Sequence, residues 1–253
     1  MKLVSLDKSL QLLEVLSNDQ DALSLAALSE KLGFPKSTVH HILQTFIPYG
    51  YVAQDHETKK YSLGLKFLLM NKKILDDFYV RKVAHKYLLR LSDECKDNIL
   101  LSIFRNGSVV YIDKVTDPTR LSLGIYIGYS TEPHATATGK VFLSDIPPDR
   151  IREMYKGKPL KKYAKRTITD IDKLITEIRK VKNQGYSIDN EEYYEGVRSI
   201  AAPIRVGGDI IAAMSVGGSI VTMTMEYMMG KIKDLLLKTA KEISAEMDVI
   251  SHR

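Results

Sequence analysis

The sequence contains very little cysteine and no long apolar segment. Cys95 is the single cysteine among 253 residues, so an intramolecular disulfide and any cysteine-rich zinc module are excluded. Its helical spacing predicts a buried position. No apolar run approaches the roughly 20 residues that cross a bilayer, and residues 1–3 do not open a signal peptide. We therefore expect a cytoplasmic protein that makes no membrane contact.

Sequence patterns that carry catalysis or hold cofactors are also missing. Residues 134–140 superficially resemble a phosphate-binding loop, but the segment does not begin with glycine, and Val141 stands where Ser or Thr would bind magnesium. Alternation along a strand would place Asp189 and Glu191 on one face and Glu192 on the other, so these carboxylates do not form one metal site or acid–base pair. The histidines lack zinc-ligand spacing, and no serine stands in a nucleophile elbow. We therefore expect no enzyme activity, no metal and no cofactor.

The charge of the chain is unevenly distributed. With 44% hydrophobic and 27% charged residues, the composition is that of an ordinary globular protein, long enough for two domains. The formal net charge of +6 favours a nucleic-acid partner. However, residues 1–63 carry six Lys and seven Asp or Glu, a net charge of −1, whereas residues 64–92 carry seven Lys or Arg and two Asp, a net charge of +5. Charge alone therefore does not identify a DNA-binding domain.

Three short helices and a hairpin are predicted at the start of the chain. Apolar residues recur at helical spacing, and residues typical of helix starts and ends separate the helices. The predicted elements are a helix at residues 5–17, a second between Ser24 and Gly33, a third between Pro35 and Pro48, and β-type segments at residues 51–53 and 60–63. This order is typical of a winged helix-turn-helix, which we predict as a mostly α-helical domain at residues 1–64.

The third helix combines an apolar stripe with a polar face that has no acidic residue. The stripe consists of Val39, Ile42, Leu43 and Phe46, and the polar face of Lys36, Ser37, Thr38, His40, His41, Gln44 and Thr45. The predicted DNA contacts are Lys36, Ser37 and Thr38 to phosphates, His40, His41 and Gln44 to base edges, and Lys59 and Lys60 of the wing to the backbone. The same pattern is compatible with a packing module or a protein-binding domain.

The rest of the chain has the pattern of a separate α+β domain. Residues 65–80 are predicted as a cationic linker helix with a break near residues 77–79. Hairpins are predicted around the Asn106-Gly107 pair and around residues 207–209. Because hairpins and helices are segregated, the pattern favours an α+β domain at residues 81–253 over a doubly wound parallel sheet.

A series of motifs follows in order along nearly the whole chain. The motifs lie at residues 32–43, 50–52, 60–64, 110–115, 134–140, 179–190, 191–192, 196–198 and 200–204. The series resembles the IclR family of transcriptional regulators, with a departure at His41, where the family often has arginine. The resemblance implies a winged helix-turn-helix followed by a GAF-like effector-binding domain at residues 81–253.

The resemblance also implies an effector site. The matching positions are Ala137, Thr138, Gly139, Asp189, Val197, Ser199, Ser215 and Gly217. Small residues beside Gly139 would let a ligand approach the start of a helix at residues 138–143, where a carboxylate or phosphate is favoured. The alternative is a tight packing corner between loop and helix. Lys140 and the nearby hydroxyls fit a small organic, sugar or aromatic acid.

These patterns together predict a sequence-specific DNA-binding transcriptional regulator, in the first instance a repressor, that responds to a small-molecule effector. The expected partners are double-stranded DNA with a near-palindromic operator, the effector, and further copies of the chain in a homodimer or homotetramer. The alternative is a cytoplasmic small-acid-binding protein or enzyme whose N-terminal domain mediates protein contacts.

Overall fold

The computed structural model describes residues 3–120 and 124–251. The chain divides into two compact units, residues 1–77 and residues 78–253. The helix that was expected as a linker over residues 65–80 spans Lys66–Asp77 and belongs to the first unit. Phe78 interrupts it, because this residue takes an extended backbone conformation and begins the next helix as its N-cap.

The first unit consists of helices around a small apolar core, followed by a hairpin. Its elements are α1 (Val4–Asn18), α2 (Leu25–Leu32), α3 (Lys36–Phe46), β1 (Val52–Gln54), β2 (Tyr61–Leu63) and α4 (Lys66–Asp77). Ser24 caps α2, since its Oγ accepts a hydrogen bond from the Ala27 amide at 3.2 Å. Gly33 ends α2 at a φ of +66°, a left-handed conformation that glycine adopts readily. Leu12, Leu28 and Leu43, one from each of the first three helices, meet in the core.

The hairpin β1–β2 forms the wing. Its strands are antiparallel, with Val52 opposite Leu63, and the Asp55 carboxylate holds the turn by accepting the backbone N–H of Glu57 at 3.1 Å and of Thr58 at 2.7 Å. These hydrogen bonds lower the pKa of Asp55, and the bond from the Thr58 amide has the largest effect. The acid therefore has a local structural role in the turn.

The second unit is a curved antiparallel sheet with helices. Its elements are α5 (Tyr79–Cys95), β3 (Asn98–Arg105), β4 (Ser108–Val115), β5 (Ser130–Thr131), α6 (Ala137–Leu143), α7 (Pro148–Met154), α8 (Ile171–Gln184), β6 (Ser187–Asn190), β7 (Val197–Val206), β8 (Asp209–Ser219), α9 (Met225–Tyr227) and α10 (Lys233–Ser251). Within the described residues the strands lie in the order β5-β4-β3-β8-β7-β6. Both predicted hairpins are present, as β3–β4 and β7–β8.

The central strand β3 explains why helices cover both faces of the sheet. Its first six residues are all buried, which requires cover on both sides because successive side chains point in opposite directions. Leu100 packs with Ala137 and Val141 of α6. Helices α5 and α10 contact each other and the strands β3, β4 and β7. The fold is therefore the predicted α+β architecture, with α6 over one face of the sheet.

Candidate DNA-binding helix and effector cavity

Helix α3 presents its predicted polar face to solvent. Val39 and Leu43 are fully buried, so the opposite side of the helix points outward. Among the predicted contacts on α3, Thr38 is half-buried and the rest are exposed: Lys36, Ser37, His40, His41 and Gln44. The His40 and His41 rings lie edge to face with centroids 6.3 Å apart. The surface offers hydrogen-bond donors and acceptors with no carboxylate on the helix, which suits a negatively charged duplex.

The two wing lysines are also exposed and close in sequence to the turn. Lys59 has a φ of +58°, and its carbonyl accepts a hydrogen bond from Gln54 Nε2 at 3.1 Å. Lys60 follows directly and is likewise exposed. A constrained turn therefore carries two adjacent ammonium groups, of the kind that contact a phosphate backbone.

In the second unit, seven of the eight predicted effector positions line one cavity. These are Ala137, Thr138, Asp189, Val197, Ser199, Ser215 and Gly217. The strand register explains the convergence, because Asp189 of β6 lies opposite Ser199 of β7, and Ser199 lies opposite Gly217 of β8. The cavity encloses about 30 Å³, room for water but less than the several hundred Å³ of a typical ligand site.

Gly139 is the predicted position that is not part of the cavity lining. A Cβ at this residue would lie 2.1 Å from the Pro133 carbonyl oxygen. Glycine is therefore required there for close approach between α6 and the preceding turn. At this residue the structure shows the packing corner that was the alternative to a ligand contact.

Sequence reasoning missed half of the cavity lining. The additional residues are Leu100, Tyr111, Ile125, Thr131, Thr136, Tyr193 and Tyr194. The hydroxyls of Thr131 and Thr138 are buried beside the Tyr111 phenol, whose pKa is raised by burial and lowered by both threonine hydroxyls. Because a hydroxyl both donates and accepts, each of these groups can also hydrogen-bond a bound water or ligand atom.

Asp189 is the acidic group of the cavity. Its side chain is almost fully buried, and its Oδ1 accepts the backbone N–H of Glu192 at 2.7 Å. Burial raises the pKa of Asp189 to about 7, although the Glu192 amide and Lys140 act in the opposite direction. The carboxyl therefore changes its charge near neutral pH.

The sequence suggested that Lys140 contacts an acid ligand, but Lys140 is not part of the cavity lining. The side chain is fully buried, and its Nζ donates to Glu192 Oε1 and to the Ile188 carbonyl, both at 2.5 Å. The Glu192 carbonyl also accepts from Thr167 Oγ1 at 2.6 Å. Lys140 thus fixes the end of β6 and the start of the following turn to α6, and its charge is already neutralised.

The remaining expectations concern metals, membranes and the cysteine. Within the described ranges, no group of His, Cys, Asp and Glu is arranged to hold a metal ion. Across the same residues, no helix combines the length and apolar character needed to traverse a bilayer. Cys95 is buried at the end of α5, and burial raises the pKa of its thiol to about 11.

Two family models match the chain. The IclR helix-turn-helix domain matches residues 5–56, and the bacterial transcriptional regulator IclR C-terminal domain matches residues 72–245. The HTH-type transcriptional regulator KdgR of Escherichia coli (strain K12) is 32% identical over 237 residues, which cover 93% of this chain and 89% of that protein.

Solved structures share the fold of this chain. The IclR structure of Thermotoga maritima has a TM-score of 0.78 at 26% identity, covering 98% of this chain and 100% of that chain. An IclR homolog from Microbacterium hydrocarbonoxydans, solved with 4-hydroxybenzoate, has a TM-score of 0.80 at 20% identity, covering 97% of this chain and 99% of that chain.

These matches confirm the resemblance drawn from the sequence. They span both units, and the matched proteins are transcriptional regulators. They give no support to the alternative of an acid-binding protein or enzyme with a protein-contacting N-terminal domain. The chain belongs to the IclR family of bacterial transcriptional regulators.

Proposed function

We propose that this regulator binds a near-palindromic operator through α3 and the wing and responds to a small molecule in the cavity of its second unit. The observation that carries the proposal is the meeting of Asp189, Ser199 and Gly217 across three neighbouring strands, at a cavity lined by buried hydroxyl groups. We assign no catalytic step to the chain and place it in the cytoplasm, where its operator is.

The DNA contacts divide by their place on the helix and wing. Lys36, Ser37 and Thr38 lie in the first turn of α3, where free backbone N–H groups also favour phosphate oxygens. His40, His41 and Gln44 lie further along the exposed face, at the length needed to reach base edges. Lys59 and Lys60 would follow the backbone from the wing.

Exposed apolar side chains in the first unit support a homodimer. Within the described residues, α4 buries none of its side chains, and Leu65, Leu68, Leu69 and Ile74 are all exposed. At the start of the chain, the α1 N-cap Leu3 and the α1 residues Val4, Leu6 and Leu10 are exposed as well. Exposed apolar side chains in such number favour association, and a second copy would bring a second α3 to the other half of a palindrome. Pairing of the second units would extend the dimer to a tetramer.

The cavity suits a small hydroxylated organic, sugar or aromatic acid. Its lining offers serine, threonine and tyrosine hydroxyls together with the Asp189 carboxyl. The 4-hydroxybenzoate bound by one structural relative belongs to this chemical class. At about 30 Å³ the cavity must enlarge before such a molecule enters. We infer repression as the default action, since a bound operator is closed to other proteins.

A gel-shift titration with the DNA upstream of the protein's own gene tests the DNA-binding half of the proposal. We expect a complex at physiological salt that persists against excess nonspecific duplex. Complexes of equal strength on every duplex would contradict sequence-specific regulation.

A thermal-shift screen of small organic acids tests the cavity. A ligand at 100 times its dissociation constant stabilises the folded protein by about 2.7 kcal/mol, which raises the melting temperature by several degrees. The matched control is Ser215→Leu, which fills the cavity and should abolish the shift. A shift of equal size in that variant would place the ligand elsewhere.

A further inference from the structure

Two consecutive tyrosines form part of the wall between the cavity of the second unit and solvent. Tyr193 and Tyr194 both contribute to its lining, and Tyr194 is also 44% exposed. A side chain that faces the cavity and the solvent at once forms the wall between them. Any molecule larger than water must therefore displace this wall or enter by another opening.

A third tyrosine holds this wall through its hydroxyl. The Tyr129 hydroxyl oxygen lies 3.1 Å from that of Tyr193 and 3.2 Å from that of Tyr194. The Tyr129 ring stacks on Tyr111 of β4, with centroids 6.4 Å apart, and Tyr111 itself lines the cavity. One hydroxyl therefore connects the β6–β7 turn to the β4 side of the cavity. A hydroxyl both donates and accepts, so Tyr129 can satisfy both partners at once.

The turn that carries the two tyrosines is anchored on one side. Glu192, the residue before them, is bound to Lys140 by a buried ion pair at 2.5 Å. Positive φ angles at Glu191 (+63°) and Gly196 (+78°) bracket the turn. The inner end is thus fixed to α6, whereas the Tyr193 and Tyr194 side chains are held by neutral hydroxyl and ring contacts, which are weaker than a buried charge pair.

We propose that Tyr129, Tyr193 and Tyr194 form a tyrosine gate that closes the effector cavity and opens when the hydroxyl contacts of Tyr129 break. The proposal rests on the assignment of the cavity as the effector site, but the gate itself is a property of the free protein. Opening would expose the Ser215 and Thr138 side chains, which are buried in the closed form. It would leave the Lys140–Glu192 pair intact.

Thiol labelling measures this opening without any effector or DNA. In a Ser215→Cys variant of the full chain, the new thiol lines the closed cavity and should react slowly with methyl methanethiosulfonate. Peptide mass spectrometry follows its reaction and that of the native Cys95, which is also buried. Cys95 lies outside the cavity lining, so its labelling reports unfolding of the unit rather than opening of the gate.

Adding Tyr129→Phe should raise the labelling rate at position 215 by about tenfold and leave that of Cys95 unchanged, because the ring contacts remain and the hydroxyl contacts are lost. The matched control is Tyr126→Phe, which removes the hydroxyl of an exposed neighbouring tyrosine whose ring also contacts Tyr129; it should change neither rate.

Two results would overturn the gate. One is an unchanged rate at position 215 in the Tyr129→Phe background, and the other is a parallel rise at Cys95, which indicates general destabilisation. If Ser215→Cys does not fold, Thr138→Cys reports on the same cavity. The labelling assay and the thermal-shift screen test the two proposals separately. If the gate opens as expected but no acid stabilises the protein, the effector assignment fails and the gate stands.

Discussion

At the scale of single residues, the most informative group is the Asp189 carboxyl. Burial raises its pKa from 3.8 to about 7, while the Glu192 charge also raises it and the Lys140 charge lowers it. The folded chain therefore keeps a proton that the unfolded chain releases above pH 3.8. The folded state is favoured fully below that pH, and this contribution is lost as the pH rises toward 7.

Replacing Asp189 by Asn removes this titration but keeps an oxygen for the Glu192 amide. We expect the unfolding free energy of Asp189→Asn, relative to the unchanged protein, to increase by about 2 kcal/mol between pH 5 and pH 8. Urea unfolding at both pH values measures the difference. Asp97, whose pKa burial raises to about 6, titrates in both proteins and cancels. A difference that is the same at both pH values would mean that Asp189 ionises normally.

At the scale of elements, local signals predicted the first unit well, and non-local pairing limited prediction of the second. Ser24 and Gly33 mark the ends of α2 by their own chemistry, as the structure confirms. By contrast, β3 pairs with β8, more than 100 residues later, with Leu100 opposite Ser215. Sequence patterns do not reveal which residues of two distant strands lie opposite each other. The cavity residues known from family motifs were therefore predicted, whereas Thr131 and Tyr193 were not.

Lys140 shows the same limit for a single contact. The sequence predicted that its ammonium lies near a ligand, because Lys140 follows small residues at the start of a helix. The structure pairs it with Glu192, which lies 52 residues away in the chain. Only the folding of β6 against α6 brings the two charges together, so no local pattern could reveal that the lysine is already neutralised.

Helix α3 supports a prediction about how DNA affinity depends on salt concentration. Replacing Lys36 by Ala should weaken binding to every duplex and reduce the slope of log affinity against log salt by about one, because one phosphate contact no longer releases a counterion. The matched control is Lys31→Ala in α2, since Lys31 already pairs with Asp19 at 3.2 Å. Fluorescence anisotropy over a series of salt concentrations gives the slopes. Equal slopes for Lys36→Ala and the unchanged protein would remove Lys36 from the DNA contacts.

His41 supports a prediction about sequence preference on the same helix. His41→Ala should relax the preference at one base position per half-site, whereas His41→Arg should favour guanine there, since arginine pairs with guanine O6 and N7. Selection from a randomised duplex library, followed by sequencing, measures both preferences. His41 does not read a base if the three proteins select the same consensus.

At the scale of the whole molecule, dimerisation has to supply the DNA affinity that the first unit, which has no net positive charge, does not provide alone. Residues 1–77 carry nine Lys and nine Asp or Glu, a net charge of 0, so we expect weak DNA binding by a single copy. Two linked copies gain from effective concentration, which raises the overall affinity on the order of 100-fold or more. The exposed leucines of α4 are the side chains that we propose to join them.

Replacing Leu68 by Glu puts a charge into that proposed interface, where burial would leave it without a partner. We expect the protein to sediment at half the mass of the unchanged protein at micromolar concentration and to lose on the order of 100-fold in affinity for the full operator, while its affinity for an isolated half-site stays the same. Val221→Glu is the matched control, since Val221 is 80% exposed in the second unit and should tolerate the same charge. Sedimentation velocity and anisotropy on full and half operators measure the two effects. If Leu68→Glu remains a dimer with full operator affinity, the copies associate through another surface and the apolar face of α4 needs a different explanation.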